Sequence, residues 1–173
     1  MSNEQTQLPP GIFEAIQASQ RGTKPPMRTF STFENGTADL IKEDAGIKWN
    51  KYRLLCPRAE CRSTILSEDI ATFHDGQSVQ MEPQDLPAHS LLPVMPPSSE
   101  TTSWWLVEPS PMQFDNIGFS KAVTGLPLSP NGKRLKLLTC ADCELGPLGW
   151  CEEGGTKFYV ACSRVGYRYE SKE

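Results

Sequence analysis

The sequence lacks long apolar runs, and this excludes a membrane-spanning helix. Only 38% of its 173 residues are hydrophobic, and no stretch approaches the ~20 consecutive apolar residues that span a bilayer. Residues 1–10 are polar and end in two prolines, so they lack the basic start and apolar run of a signal peptide. The final residues 171–173 carry no prenylation motif. We therefore expect a cytoplasmic protein that does not insert into membranes.

An excess of basic charge is also missing. Lysine and arginine total 17 against 21 aspartates and glutamates, which gives a net charge of −4, whereas nucleic-acid binders usually present a basic face. The small basic group at Lys133, Arg134 and Lys136 is typical of a solvated strand edge. We expect no nucleic-acid partner, although a zinc-ribbon nucleic-acid binder is the alternative that this basic group leaves open.

Helical periodicity is scarce as well. One short helix is predicted at 12–18, and the rest of the pattern indicates short strands broken by fifteen prolines and thirteen glycines. Strands are predicted at 47–55, 62–66, 70–73, 104–108, 114–119, 134–139 and 157–165. Because helices and strands do not alternate, the pattern favours a mainly β, antiparallel domain over a parallel α/β sheet.

Two segments are predicted to lie outside the sheets. Residues 1–28 form a flexible tail, and residues 29–173 form one domain. Within that domain, 76–103 is a long proline-rich loop, because proline donates no hydrogen bond to a strand ladder. We expect the tail and the loop to be mobile, since neither pattern buries much apolar surface.

Six cysteines are present, and four of them occur in two closely spaced pairs. Cys56 and Cys61 are separated by four residues, and Cys140 and Cys143 by two. Each pair follows a predicted strand and contains or precedes a turn-forming proline or glycine, which is typical of a zinc knuckle. Cysteines in the cytoplasm seldom form disulfides, and four thiolates suit one structural Zn²⁺ with no open coordination position. Unrelated core cysteines, or a redox pair at Cys140 and Cys143, are the alternatives.

The other candidate ligands lack metal-site spacing. Cys162 alternates with Phe158 and Val160, so we interpret it as a buried apolar residue. Cys151 follows a tryptophan and is either a packed thiol or a replacement ligand, with packing favoured. His74 and His89 stand in or beside the loop and are expected to be solvated surface residues.

Three stretches together resemble the Mss/Dss family of Rab-interacting guanine nucleotide exchange factors. They are Trp105-Leu-Val-Glu108, Phe114-Asp-Asn-Ile-Gly-Phe-Ser-Lys121 and Leu138-Thr-Cys-Ala-Asp-Cys-Glu-Leu-Gly-Pro-Leu-Gly-Trp150. The segment from Lys157 to Val165 continues the match. The resemblance is close over 104–165 and loose around the first cysteine pair, where the family usually has two intervening residues. This chain also has a longer N-terminal tail and an insertion near 124–133, and Cys151 replaces a histidine.

The resemblance implies a β-tent fold with a four-cysteine zinc site at one end. It implies a monomeric, non-enzymatic protein that binds the nucleotide-free form of a Rab-type GTPase in vesicle transport and exocytosis, releasing nucleotide slowly and holding the empty GTPase like a chaperone. Such a protein would reach membranes only through its GTPase partner. The zinc ligands carry over to Cys140 and Cys143 directly, and to Cys56 and Cys61 with the changed spacing.

The same resemblance places the partner surface beside the second cysteine pair. It would consist of Asp142 and Glu144, with Asn116, Gly118 and Phe119 nearby. Asp142 lies between two proposed ligands, so its side chain should point outward. The alternatives are an acid that only keeps the knuckle solvated and a Phe119 ring that belongs to the core.

Two further alternatives for the function stay open. β-tent folds also occur in sulfoxide reductases and formaldehyde-adduct enzymes, which need a reactive thiol or an open metal site. Only Cys151 and Cys162 remain as spare thiols here, and neither lies in an evident polar cluster. A general folding helper for GTPases, without a true exchange role, cannot be separated from an exchange factor by sequence.

Overall fold

The computed structural model describes residues 11–12, 24–83, 86 and 89–169. Nearly all of the predicted tail and of the helix predicted at 12–18 therefore lies outside the described residues. The described chain is built from short strands, and every pairing between them is antiparallel. This confirms the predicted mainly β, antiparallel fold.

The strands form a large and a small sheet. The small sheet has the order β1, β12, β4, β5, with bounds β1 Met27–Thr29, β4 Leu54–Leu55, β5 Thr64–Leu66 and β12 Gly166–Arg168. The large sheet has the order β2, β3, β6, β7, β11, β10, β9, β8. Its bounds are β2 Ile41–Asp44, β3 Ile47–Asn50, β6 Thr72–Gln77, β7 Thr101–Val107, β8 Gly118–Phe119, β9 Leu135–Thr139, β10 Gly149–Glu152 and β11 Phe158–Ala161.

Short 3-10 helices occupy several of the connections. They span Phe30–Thr32, Gly36–Leu40, Pro111–Gln113 and Cys162–Arg164. Within the described residues, no helix is long and apolar enough to cross a membrane.

The large sheet buries side chains on both of its faces. Successive residues of a strand point to opposite faces, so Trp105 enters the main core while its neighbour Trp104 enters a second cluster. The main core also contains Cys56 and Cys140. The second cluster contains Val79, Met81, Met95, Trp104, Leu135, Trp150 and Ala161. The cysteine pairs and Trp104 therefore belong to different cores.

Two predicted strands bend at corners that carry the chain between the sheets. The strand predicted at 47–55 divides into β3 and β4. The fully buried Asn50 fixes this corner, because its amide donates to the carbonyls of Tyr52 and Ser67 and accepts from the N–H groups of Ile70 and Ala71. The strand predicted at 157–165 ends at Ala161, where Cys162–Arg164 turns the chain into β12.

The remaining strand boundaries differ more modestly from the predictions. The predicted strand 134–139 is confirmed as β9, and 62–66 shortens to β5. The predicted strand 70–73 corresponds to β6, which extends to Gln77, and 104–108 corresponds to β7. Only Gly118–Phe119 of the predicted strand 114–119 is extended in the sheet. Strands β1, β2, β10 and β12 were not predicted, and β1 begins two residues before the expected domain boundary at 29.

The expectation that the loop 76–103 buries little apolar surface is wrong. Its ends belong to β6 and β7, and between them Val79, Met81, Leu92 and Met95 are buried. Arg164 anchors the loop, since its guanidinium donates to the carbonyl of Pro93 at 2.8 and 3.0 Å. These apolar residues are interspersed with the prolines. The prediction was based on the proline content of the segment and therefore did not identify them as buried.

Arg164 is itself fully buried, although the alternating pattern placed it on an ordinary strand. Its guanidinium pairs with the carboxylate of Glu82 and donates to the carbonyl of Pro147 at 2.9 Å. A buried charge needs both a counter-ion and hydrogen bonds, and Arg164 has them from two separate loops. This residue therefore joins the loop 76–103 to the turn that follows the second cysteine pair.

Candidate metal centre and partner surface

The fold brings all four paired cysteines together. The sulfurs of Cys56, Cys61, Cys140 and Cys143 all lie within 4.8 Å of one another. The Sγ atoms of Cys56 and Cys143 are 3.5 Å apart, and those of Cys61 and Cys140 are 3.8 Å apart. Tetrahedral bonds of about 2.3 Å place neighbouring thiolates roughly 3.8 Å apart. The donor set therefore fits a four-coordinate, thiophilic metal ion.

Tight turns position the first pair of sulfurs. Cys56 follows β4, and its N–H donates to the carbonyl of Ser63 at 2.9 Å. The N–H groups of Cys61 and Arg62 both donate to the carbonyl of Arg58 at 3.0 Å. Arg62 has a φ of 52°, which lies in the left-handed region that non-glycine residues adopt rarely. The longer spacing of this pair is thus accommodated by a compact, hydrogen-bonded turn.

The second pair has a similar turn. Cys140 follows β9, and its N–H donates to the carbonyl of Leu145 at 2.9 Å, while the N–H of Glu144 donates to the carbonyl of Cys140 at 2.8 Å. Glu144 takes the left-handed conformation, with a φ of 61°. The amide of Asn116 lies 3.8 Å from the Cys140 sulfur and can donate to it. Two backbone hydrogen bonds and one side chain therefore orient this turn and the Cys140 sulfur.

Burial and hydrogen bonding act differently on the four thiols. Burial raises the pKa of Cys56 and raises the pKa of Cys140 to about 11. Burial acts to raise the pKa of Cys61 as well, but its hydrogen bonds with Ser63, Cys143 and Cys140 outweigh this effect, so that this pKa lies below its ordinary value. Because a metal binds thiolates, its binding would displace protons from the buried sulfurs.

The predicted partner residues surround this cluster at different depths. Asp142 and Glu144 are both exposed, and the outward position of Asp142 agrees with its place between the two cysteines. Asn116 is half-buried and contacts the Cys140 sulfur. Gly118 pairs with Thr139 across β8 and β9, and a Cβ atom there would lie 3.0 Å from the Thr139 hydroxyl oxygen. The structure therefore brings these four residues to the same end of the large sheet.

A link between the two knuckles was not predicted. The hydroxyl of Ser63 donates to the carboxylate of Asp142, and the same hydroxyl oxygen lies 3.3 Å from the Cys61 sulfur. Ser63 is two residues beyond a cysteine in an unremarkable stretch, so the sequence carried no signal for this contact. Asp142 is thus exposed to solvent and also connected to the first knuckle.

Phe119 is exposed at the edge of an aromatic cluster. Its side chain is 38% exposed, and its ring contacts those of Phe114 and Phe158 edge-on, with centroids 6.4 and 5.7 Å away. Nearby Met112 is 87% exposed. A shallow groove of about 250 Å³ runs beside Phe119 and is lined by Pro111, Phe119, Lys136, Cys151, Glu152, Gly154, Gly155 and Phe158. Phe119 is therefore both a core contact and a surface residue.

The two remaining thiols are packed inside the protein. Cys151 is 3% exposed and Cys162 is 1% exposed, which confirms the interpretation of Cys162 as a buried residue. Burial raises the pKa of Cys151 to about 11 and raises that of Cys162 as well. Neither belongs to the four-cysteine group, and His74 and His89 are exposed outside it.

Comparisons with known proteins identify relatives of this chain. A family model described as Mss4 protein matches residues 49–167. A Drosophila melanogaster protein named guanine nucleotide exchange factor MSS4 homolog is 32% identical over 119 residues, which cover 67% of this chain and 84% of the relative. A Schizosaccharomyces pombe protein of the same name is 41% identical over 64 residues, covering 37% of this chain and 55% of the relative.

Proposed function

The chain belongs to the Mss4 family, and from this premise we propose that it is a guanine nucleotide exchange factor for a small GTPase of the Rab type. The observation that carries the proposal is the match to a relative named as an exchange factor, which extends over 84% of that relative. The proposed role includes a preference for the nucleotide-free GTPase, slow nucleotide release and protection of the empty GTPase during vesicle transport and exocytosis. The protein would act as a cytoplasmic monomer and reach membranes through its partner.

The four-cysteine cluster would hold one structural Zn²⁺ in this function. Zinc is the common ion for four thiolates, and such a closed site leaves no position for a reacting water. The residues of this chain that would hold it are Cys56 and Cys61 on one knuckle and Cys140 and Cys143 on the other. The ion would rigidify the end of the large sheet where Asp142 and Phe119 are exposed.

Exchange needs a binding surface, and it needs no catalytic group. A protein that binds the empty GTPase more tightly than the loaded one must weaken nucleotide affinity by the same factor. Nucleotide and Mg²⁺ order the switch loops of a GTPase, so a partner that holds a switch loop in another arrangement opposes nucleotide binding. A rigid platform with exposed carboxylates and an exposed ring supplies what this mechanism requires.

The proposed contact surface is the end of the sheet beside the second knuckle. Asp142 and Glu144 would meet basic residues of the GTPase that otherwise face phosphate. Phe119 would bury its exposed ring edge against the partner. Gly118 and Asn116 would shape this surface, because a larger side chain at 118 would crowd Thr139 and because Asn116 contacts the Cys140 sulfur.

The enzyme alternative finds little support in the thiols. A thiol catalyst needs an accessible sulfur with a lowered pKa, whereas Cys151 and Cys162 are buried and burial raises the pKa of both. A turnover assay with methionine sulfoxide, with and without thiol alkylation, separates the two functions. Thiol-dependent turnover would favour the enzyme.

The direct test compares nucleotide states of the partner. Immobilised protein is incubated with a set of Rab GTPases in nucleotide-free, GDP-bound and GTP-bound forms, and release of fluorescent GDP is measured in parallel. At least one Rab should bind best when empty and should lose GDP faster in the presence of this protein. Equal binding of all three states by every Rab, with unchanged release, would refute the proposal. The rate of GTP reloading then separates an exchange factor from a holding chaperone.

A further inference from the structure

The large sheet carries a second concave site on the face opposite the cysteine cluster. This aromatic pocket has a volume of about 190 Å³ and is lined by His74, Gly76, Gln77, Trp104, Pro130, Asn131, Trp150, Glu152 and Tyr159. Its tryptophans belong to the second cluster, whereas Cys56 and Cys140 belong to the main core. The pocket therefore lies on the other face of the sheet from the cysteine cluster, although Glu152 at its rim also borders the groove beside Phe119.

Cross-strand pairing assembles the aromatic side of the pocket. Trp150 of β10 lies opposite Tyr159 of β11, and their rings stack with centroids 4.7 Å apart and planes 15° apart. The ring of Trp104 meets both edge-on, at 6.3 and 6.4 Å. His74 lies opposite Trp104 and places its ring 5.8 Å from Tyr159. Four rings from four adjacent strands thus converge on one small space.

A carboxylate is held at the rim by the loop between β8 and β9. The Oε1 atom of Glu152 accepts from the amide of Asn131 at 2.9 Å, and its Oε2 atom accepts from the hydroxyl of Ser129 at 3.0 Å. Ser129 is buried, and its hydroxyl also accepts from the N–H of Lys133 at 3.1 Å. The segment 124–133 therefore fixes the position of the acid.

The charge of the pocket has one sign. Glu152 is its only carboxylate, and neither lysine nor arginine is among the described residues that line it. Burial, together with the charges of Glu152 and Glu108, raises the pKa of Tyr159, which is consistent with a negative local potential. Aromatic ring faces also carry negative charge density and attract cations.

One polar group beside the pocket has no partner. Among the described residues, the indole N–H of Trp150 is buried and donates to no acceptor. By contrast, the indole of Trp104 donates to the Gln77 carbonyl at 3.2 Å, and that of Trp105 donates to the Tyr167 hydroxyl at 3.0 Å. Buried donors in folded proteins are almost always paired. This N–H is closed off from the pocket, so a ligand would contact Trp150 through its ring.

From this arrangement we propose that the aromatic pocket binds a methylated organic ammonium ion, with the cation against the aromatic rings and the carboxylate of Glu152. A primary ammonium would bring three N–H donors, and each oxygen of Glu152 already uses one of its two lone pairs, so fewer acceptor sites remain for them. A fully methylated ammonium has no N–H donor, so its binding depends on contact with aromatic rings and on nearby negative charge. Aromatic cages recognise quaternary ammonium groups in this way.

Two methylated cations and two controls test the ligand chemistry on the zinc-loaded protein. Choline, Nε-trimethyl-lysine, lysine and the neutral choline isostere 3,3-dimethylbutan-1-ol are titrated while the four indole N–H resonances are followed by NMR. The resonances of Trp104 and Trp150 should shift with choline or trimethyl-lysine. Those of Trp49 and Trp105 lie outside the pocket and serve as internal controls. Lysine and the neutral isostere should bind at least about fivefold more weakly, since they lose the methylated cation.

A matched pair of variants tests the carboxylate. Glu152→Gln removes the charge at nearly constant size, and it should weaken choline or trimethyl-lysine binding by at least about fivefold. Glu153→Gln changes the adjacent exposed acid, which does not line the pocket, and should leave binding unchanged. Glu152→Gln also changes the hydrogen bonds that Glu152 accepts from Ser129 and Asn131. The neutral isostere therefore tests the need for a cationic ligand on the unmutated protein.

The outcomes are distinct. Binding of choline alone would indicate a lipid-type headgroup, and binding of trimethyl-lysine alone would indicate a methylated lysine side chain; either supports the proposal. Equal affinity for the neutral isostere, or absence of shifts at Trp104 and Trp150 with every cation, overturns it. Neither result depends on a GTPase, so failure here leaves the proposed exchange function standing.

Discussion

Asp142 is a residue whose structural and functional roles can be separated by mutation. Its carboxylate is exposed and accepts from the Ser63 hydroxyl. Asp142→Ala should change the melting temperature and metal content little, because exposed substitutions usually cost under ~0.5 kcal/mol. It should weaken binding to nucleotide-free Rab by about 1 kcal/mol or more, as a modest hot spot does. Calorimetric titration against the empty GTPase measures the change.

Ser63→Ala is the control for this prediction. It removes the contact between Ser63 and Asp142 but keeps the carboxylate on the surface. If Asp142 contacts the GTPase directly, Ser63→Ala should retain most of the binding. A folded, metal-loaded Asp142→Ala variant that binds the empty GTPase as well as the parent would show that the contact surface lies elsewhere on the sheet.

Deprotonation of Cys151 should destabilise the folded protein at alkaline pH. Burial raises the pKa of this thiol from 9.0 to about 11 in the folded state. A raised folded-state pKa means that the unfolded state releases its proton first, so the associated stability is complete below pH 9 and is lost towards pH 11. Over this pH range, the free energy of unfolding of the parent should therefore fall by about 1–2 kcal/mol more than that of Cys151→Ala.

Urea unfolding at pH 8 and pH 10.5 measures this difference. The comparison is made between pH values within each protein, so the cost of the smaller side chain cancels. Iodoacetamide labelling at pH 7.5 gives an independent check, since a buried thiol with a raised pKa should react slowly. Rapid labelling of Cys151 in the native protein would contradict its burial.

At the scale of elements, the loop 76–103 depends on one buried guanidinium. Arg164 pairs with Glu82 and donates to the Pro93 and Pro147 carbonyls. Arg164→Ala leaves these acceptors without donors, and breaking a buried pair costs about 3–5 kcal/mol. The variant should lower unfolding free energy by that order and expose the loop to protease. Urea unfolding and limited proteolysis followed by mass spectrometry measure the two effects.

Glu82→Gln provides the comparison for the loop. It removes the counter-ion of the buried guanidinium but retains a carbonyl oxygen for Arg164, so it should also lower the unfolding free energy while the bonds to Pro93 and Pro147 still hold the loop. Cleavage within 78–97 that is equally fast in the parent and in Arg164→Ala would show that the guanidinium does not secure the loop. Early cleavage within residues 1–28 in all proteins is expected from the sequence and serves as the reference.

Strands were predicted better than the corners between them. Alternating side chains identified β7, β9 and β11, because that signal is local. The corner at Asn50 depends on hydrogen bonds to residues up to 21 positions away, and the alternation runs through it without a break. The corner at Cys162–Arg164 was missed for the same reason, since Cys162 and Arg164 continue the pattern of Phe158 and Val160.

The four-cysteine cluster could be predicted from local sequence, whereas the aromatic pocket and the contact between the two knuckles could not. Cysteine spacing identified all four residues of the metal cluster, because a knuckle is a local motif and thiolates have few other uses in pairs. The contact between Ser63 and Asp142 joins positions 79 apart, and the aromatic pocket joins β6, β7, β10 and β11 to the segment 124–133. Single-sequence patterns carry no signal for contacts assembled from such distant parts of the chain.

At the scale of the whole molecule, the four-cysteine cluster joins the two sheets. Cys56 follows β4 of the small sheet, and Cys140 follows β9 of the large sheet. Protein purified without chelator should contain about one zinc per chain, and Cys143→Ser should unfold or aggregate, because metal-binding energy in such sites is folding energy. Elemental analysis and circular dichroism measure both effects.

Cys151→Ser is the matched control for the metal prediction. It changes a buried cysteine outside the cluster and should retain the metal, even if packing is less favourable. Well-folded parent protein with a zinc content near zero would refute a structural zinc site. A folded Cys143→Ser variant with full zinc content would show that three sulfurs suffice.

The adjacent tryptophans of β7 have a consequence for how this protein can vary in evolution. Trp104 and Trp105 serve different faces of one strand, so inserting or deleting a single residue in β7 would exchange the two rings between the main core and the aromatic pocket. Length changes should therefore be confined to turns and loops outside β7, such as 124–133 and the turn between Cys56 and Cys61. These turns and loops can then vary in length while the two ring positions stay fixed.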